Sequence, residues 1–387
     1  MRRPDIIVIG GGLAGSSAAA FLSEFASVLV LEGGKETGNE GAAQNSGLIR
    51  RMDPEPCDRA LAQRTHEFLV HTAPNMGADN LSSTCGAVLG LVRDPLWLHN
   101  ARAHLLEQGV RIQATQTNDF PILHGAPIAH AWHLPEERIT DGPQLVDFLL
   151  NHAVSNGALV RCNTRVKRLL IESGRCIGVE TENETIHAGN ILVAAGAWSG
   201  TLAQQAGLHR PLTALRRMAA IIKGPQTIDQ PWFWLDDVGL YAKPHNGKWL
   251  VSPCDEAPEL APENGRSTGH PSPRQIALLE VKIARYLPKL AAYPTQHTWT
   301  GLRTFAPDRR PLLGPDGECD GLWWAAGMGG SGLSSSIGVG QALQAWMQNR
   351  ETPWLDASGV RPNRAHLRRW PILPDGDPQR ARLINAG

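Results

Sequence analysis

The chain has no Cys-x-x-Cys pair. Its six cysteines, Cys57, Cys85, Cys162, Cys176, Cys254 and Cys319, lie scattered along 387 residues. That spacing speaks against a zinc ribbon or a disulfide scaffold and suits reduced thiols in a cytoplasmic protein. No run of about 20 apolar residues is present, so no membrane-spanning helix is expected. The N-terminus does not read as a cleavable signal, because its apolar run is short and broken by glycines. Nor is there a charge excess: 37 basic side chains balance 37 acidic ones. Nucleic acid and anionic membrane surfaces are therefore not expected partners. No internal repeat occurs. What is abundant is glycine and proline, 40 and 28 residues, which imply many turns and close backbone approaches.

The chain opens on an apolar strand, Ile6-Ile7-Val8-Ile9, followed by Gly10-Gly11-Gly12-Leu13-Ala14-Gly15. A small-residue helix and a second apolar strand ending at Leu31-Glu32 come next. Each glycine has a task in a dinucleotide-binding turn. Gly10 permits the sharp turn, Gly12 lets backbone approach a pyrophosphate, and Gly15 lets the helix pack on the strand. Leu13 and Ala14 begin the helix, whose N-terminus offers free N–H groups to phosphates. Glu32, 22 residues beyond Gly10, is placed to bond a ribose hydroxyl. Residues 38–47 are rich in Gly, Asn and Ser. They cannot build a core, but they can lay backbone against a flat ligand.

Further along, the pattern predicts helices over 57–72, 95–109, 142–156, 273–287 and 332–347. Strands are expected over 82–92, 160–162, 166–171, 176–182, 191–195, 213–223, 239–243, 248–252, 298–305 and 322–326. Trp132-His133 reads as irregular. The expected architecture is α/β with an α+β second domain. A Rossmann-like domain is assembled from residues 1–80, 140–212 and 297–387. An inserted mixed or antiparallel-sheet domain comprises 81–139 and 213–296. Arg361, Arg364, Arg368, Arg369, Arg380 and Arg382 read as a solvated face or loose tail.

Two later segments carry a resemblance. Thr300-Gly301-Leu302-Arg303 runs into Pro307-Asp308-Arg309-Arg310-Pro311 and Gly314, and Gly327-Met328-Gly329-Gly330-Ser331-Gly332 follows. With Ala194-Ala195-Gly196-Ala197-Trp198-Ser199 and the N-terminal turn, these resemble the D-amino-acid oxidase superfamily, over about residues 5–347. That superfamily includes glycine oxidase, sarcosine oxidase and D-arginine dehydrogenase. Within it, His297 to Arg303 and Tyr241-Ala242-Lys243-Pro244 are most similar to D-arginine dehydrogenase. The resemblance implies FAD lying between two domains. Gly10, Gly12, Leu13, Ala14, Gly15, Glu32, Asn45, Ser46, Gly47, Val166, Ala195, Gly196, Trp198, Gly327, Gly329, Gly330, Ser331, Gly332 and Leu333 would contact it.

The resemblance also implies roles in catalysis. Arg303 would grip a substrate carboxylate with its planar fork, and Tyr241 would hydrogen-bond the substrate. Arg216 and Arg217 are adjacent on a strand and point to opposite faces, so one of them faces the pocket. Arg50 and Arg51 follow the glycine loop, placed either to read a second anion or the flavin edge or to form a solvated charge pair. Gly86 aligns where D-arginine dehydrogenase carries the carboxylate that reads its substrate, so a basic side chain is not expected to be favoured. Trp97, Trp132, Trp232 and Trp234 are further candidate lining residues. The family's oxygen-activating lysine has no match, Lys243 and Lys248 both being displaced.

The reading that follows is FAD-dependent oxidation of an amino acid or N-substituted amino acid. Hydride passes from the α-carbon to flavin N5, and the imine hydrolyses to a 2-oxo acid plus an amine. The electron acceptor is oxygen or a quinone-type carrier, and a partner subunit is compatible. Two rivals stay open. Asn45-Ser46-Gly47 has a loose likeness to 2-hydroxy-acid dehydrogenases, which need a pocket base such as histidine. An electron-relay subunit is the other. No cysteine lies within residues 297–318, where sarcosine oxidases attach FAD, so the cofactor is expected to be noncovalent. Acid precipitation of the yellow protein should therefore leave flavin in the supernatant. Flavin remaining with the pellet would establish a covalent link.

Overall fold

The computed structural model describes residues 3–93, 96–225, 228–258 and 269–369. Ile6–Ile9 is wholly buried and runs parallel to both Val28–Leu31 and Asn190–Val193. Leu159–Arg161 extends that sheet on one side and Leu322–Ala326 on the other, both parallel, with Leu312–Pro315 antiparallel at the edge. The central strands show no polar alternation because helices and loops cover both faces. Helix Leu13–Leu22 packs against Gly142–Ser155 and Gly332–Met347. Small residues make this possible: a Cβ on Gly340 would fall 2.4 Å from Ser17 Oγ.

A second sheet of nine strands contains Thr213–Ile222, Lys248–Ser252, Leu240–His245, Trp232–Leu235, Ala87–Leu91 and His130–Leu134 in consecutive order. Thr295–Phe305 pairs along the whole length of Thr213–Ile222. Residues 297–305, expected within the nucleotide-binding piece, are thus hydrogen-bonded into the large sheet. Trp132-His133 is not irregular either, since it lies within a strand between Ala87–Leu91 and Gln113–Ala114. Trp232–Leu235, Trp-Phe-Trp-Leu, gave no strand signal because a four-residue segment apolar throughout has no alternation to read.

The C-terminal arginines differ from expectation. Arg364 is buried, and its fork meets both oxygens of Asp308 at 2.7 Å. Arg361 lies over the Trp346 ring, 4.8 Å from its centroid. Both are structural rather than solvated. Arg380 and Arg382 fall outside the described residues.

The two sheets are joined at Arg210, immediately before Thr213–Ile222. Its side chain is 2 % exposed and pairs with Asp316, 0 % exposed, at 2.7 Å. Asp316 follows the edge strand Leu312–Pro315 and also accepts Trp324 Nε1. Losing the cation would leave a buried carboxylate uncompensated. Arg210→Ala should lower unfolding free energy by about 3–5 kcal/mol, read as a shift in denaturant midpoint. A midpoint within error of the parent would refute the role.

Candidate functional site

One face of the large sheet and the ends of the parallel strands enclose a cavity of about 620 Å³. It runs from Glu32 and Gly34 at one end, past residues 38–47 and 327–334, to Tyr241 and Arg303 at the other.

At the first end the glycine turn is formed. Gly10 has φ +104°, and a Cβ on Gly15 would lie 1.9 Å from the Gly10 carbonyl oxygen. Gly15 therefore acts by packing behind the turn and does not line the cavity. Gly12 does line it, and a Cβ there would meet nothing within 4 Å. Helix Leu13–Leu22 has no side-chain cap, which leaves its first N–H groups for a ligand. Glu32 is held by the N–H groups of Gly11 at 2.8 Å and Gly34 at 2.6 Å. A carboxylate oxygen accepts more than one hydrogen bond, so ribose hydroxyls can still be received.

Asn45, Ser46 and Gly47 line the middle, and the Asn45 carboxamide accepts the Gly47 N–H at 2.6 Å. Val166, Ala195, Gly196 and Trp198 border the Glu32 end, and Gly327, Gly329, Gly330, Gly332 and Leu333 the other side. Helix Gly332–Met347 likewise lacks a side-chain cap. Ser331 does not line the cavity. An uncapped helix start at each wall, an open backbone cradle at Gly12 and a pre-oriented carboxylate fit the parts of FAD. None of the six free cysteines lines this cavity.

The far end follows from strand register. Arg217 opposes Gly301 and Leu215 opposes Arg303, so Arg217 and Arg303 share one face as a diagonal pair. Arg217 lines the cavity and Arg216 does not; Arg216 turns away to donate to Thr300 Oγ1 at 2.6 Å. Arg217 pairs with Glu256, which also takes both nitrogens of Arg309 at 2.8 and 2.7 Å. Arg303 donates only to the carbonyls of Leu302 and Gln44, at 3.1 and 3.3 Å, and no carboxylate among the described residues pairs with it. Burial pulls its guanidinium pKa down. Tyr241 lies near the Ser46 and Ser252 hydroxyls, and burial pushes its phenol up, so it stays neutral.

Other expected positions divide. Trp234 lines the cavity and stacks on Tyr241, with centroids 5.4 Å apart and planes at 6°. Trp97, Trp132 and Trp232 do not line it. Gly86 is also outside; its φ is +72°, and a Cβ would sit 3.1 Å from His133 Nε2. An acid placed there would strain the turn rather than enter the pocket. Trp299, Ser252 and Gln44 were missed. Alternation back from Arg303 along its strand would have found Trp299. Lys243 lies behind the loop, with Nζ 3.1 Å from where a Gly47 Cβ would be, and burial depresses its pKa.

Glu32→Ala should weaken FAD binding by roughly 1.5–3 kcal/mol, one charge-assisted hydrogen bond. Fluorescence titration of the apoprotein would read this as a ten- to hundredfold rise in Kd. An unchanged Kd would place the ribose contact elsewhere.

Several known proteins are similar to this chain. A glycine oxidase of Pseudomonas putida is 26% identical over 344 residues, covering 85% of this chain and 90% of that protein. A 4-methylaminobutanoate oxidase (formaldehyde-forming) of Paenarthrobacter nicotinovorans is 26% identical over 373 residues. That match covers 92% of this chain, which spans only 44% of the longer relative. Glycine oxidase from Geobacillus kaustophilus superposes with a TM-score of 0.79 at 20% identity, covering 94% of this chain and 99% of that one. L-proline dehydrogenase from P. horikoshii superposes at 0.81, also at 20% identity, covering 94% and 98%. Among the described residues no helix is long and apolar enough to cross a membrane. Residues 5–346 match the DAO family, and the chain belongs to these FAD-dependent oxidoreductases.

Proposed function

We propose that the chain oxidises an α-amino acid or N-substituted α-amino acid at its Cα–H bond. The observation that carries this reading is Arg303, half-buried in the cavity wall, on the face that also bears Arg217, and paired with no carboxylate among the described residues. A half-buried guanidinium fork with no carboxylate partner among the described residues suits a substrate carboxylate. Tyr241 adds a neutral hydroxyl donor beside it. Together they fix the substrate at one end and aim its α-hydrogen, a positioning contribution.

Bound FAD supplies the two-electron acceptor. The substrate gives up its α-hydrogen with the electron pair, and the imine left behind takes up water to yield a 2-oxo acid and an amine. The amine must first be neutral. The described residues lining the cavity include no histidine, and the phenol of Tyr241 is pushed away from ionisation. Burial of the substrate, which disfavours its ammonium form, therefore supports proton loss to solvent during entry. The same lack of a histidine gives a 2-hydroxy acid no imidazole to take its hydroxyl proton.

Arg303→Ala should raise KM and lower kcat together, since carboxylate grip and hydrogen aim are one function. The loss in kcat/KM is expected to be on the order of 2–5 kcal/mol. Arg303→Lys should recover little, because an ammonium lacks the fork. Steady-state kinetics on the best substrate from a dye-reduction screen of amino acids and N-methyl amino acids tests this. Near-parental kinetics in the alanine variant would assign the grip to another residue.

A further inference from the structure

Arg50 was expected to meet an anion or the flavin edge. Its surroundings have the chemistry of a cation site instead. The guanidinium lies over the Trp234 ring, 4.0 Å from the centroid. Nη2 pairs with Asp53, and Nη1 lies 3.6 Å from Asp236. Trp234 is itself fixed, donating Nε1 to Asp236 at 2.8 Å and stacking on Tyr241. Asp58 adds a third carboxyl in electrostatic contact with Asp53 and Arg50. An aromatic face flanked by carboxylates binds guanidinium and ammonium groups. Here Asp53 and Asp236 flank the Arg50 cation, and Asp53 also faces the Arg59 guanidinium. Burial, with repulsion from Asp53, pushes Asp58 upward, and burial does the same to Asp236.

Arg50 and Trp234 both line the substrate end of the cavity, whereas Asp53, Asp58 and Asp236 do not. The arginine head thus screens the carboxylates from the cavity. We propose that Arg50 is a resident cation occupying a guanidinium-binding subsite of the substrate cavity, and that its presence excludes substrates with a basic side chain. Exclusion then comes from a filled site rather than from the glycine at position 86. Without Arg50, the Trp234 face and two carboxylates would open onto the cavity. The substrate part of this inference rests on the proposed amino-acid oxidation; the subsite itself does not.

The test is chemical complementation in the FAD-loaded protein. Arg50→Ala should melt at a lower temperature than the parent. Millimolar guanidinium chloride, compared with sodium chloride at equal ionic strength, should restore the melting temperature of the variant saturably and leave the parent unmoved. Arg50→Lys, which keeps a cation, should need no rescue. Arg50→Gln serves in the same assay if the alanine variant does not fold. Asp236→Asn in the Arg50→Gln background should abolish the rescue. In turnover, the kcat/KM ratio of arginine to citrulline, tested in both enantiomers, should rise at least tenfold in Arg50→Ala or Arg50→Gln. Equal guanidinium responses of parent and variant would overturn the proposal, as would a parent that already favours arginine over citrulline. Rescue by guanidinium with no amino acid turned over would uphold the subsite and count against the amino-acid reading instead.

Discussion

The antiparallel pairing of residues 213–222 with 295–305 is the constraint on which the substrate end depends. Its register alone places Arg217, Ala219, Trp299, Gly301 and Arg303 on one face. A slip of one residue would turn all of them away and present Arg216 and Leu302 instead. Gly301 is what lets the loop of residues 38–47 cross this face: a Cβ there would fall 2.4 Å from Gln44 Oε1. The loop is then tied back to the strand, because the Gln44 carbonyl accepts from Arg303 and Trp299. Loop, strand and arginine are one assembly.

Charge in this assembly is arranged by end. Arg217 and Arg309 share one carboxylate, Glu256, and Arg303 has no carboxylate partner among the described residues, so that side is positive. Beyond the Trp234–Tyr241 stack, Asp53 and Asp236 flank Arg50 and hold it over the Trp234 face. The two clusters stand on either side of stacked aromatic rings. Low polarizability around buried charges makes such an arrangement costly unless each cation is well placed. That cost accounts for how completely the arginines here are engaged by rings, carbonyls and carboxylates.

Much of this was legible beforehand for a physical reason: glycine positions that need φ above zero or close approach leave a mark in the residues. Gly10, Gly12, Gly15 and Glu32 behave as the turn requires, and the strand alternation foretold that only one of Arg216 and Arg217 meets the cavity. Gly86 failed because alignment by resemblance carries no information about side-chain direction. Trp232–Leu235 failed because a short strand covered on both faces has no period. The seating of Arg50 was not readable, since Asp53, Trp234 and Asp236 come together only through the fold. Arg364 was misjudged because an arginine-rich stretch looks solvated until its partner, Asp308, is seen beneath it.

The cavity wall is contributed by four separated stretches of chain, near residues 9–50, 165–205, 217–252 and 299–334. A ligand that touches all four acts on folding as well as on chemistry. It binds the assembled state and not the dispersed one, so free cofactor adds stability as the logarithm of its concentration over Kd. The protein's lifetime is thereby coupled to flavin supply. Chains that have filled the cavity are expected to keep their fold longer than chains that have not.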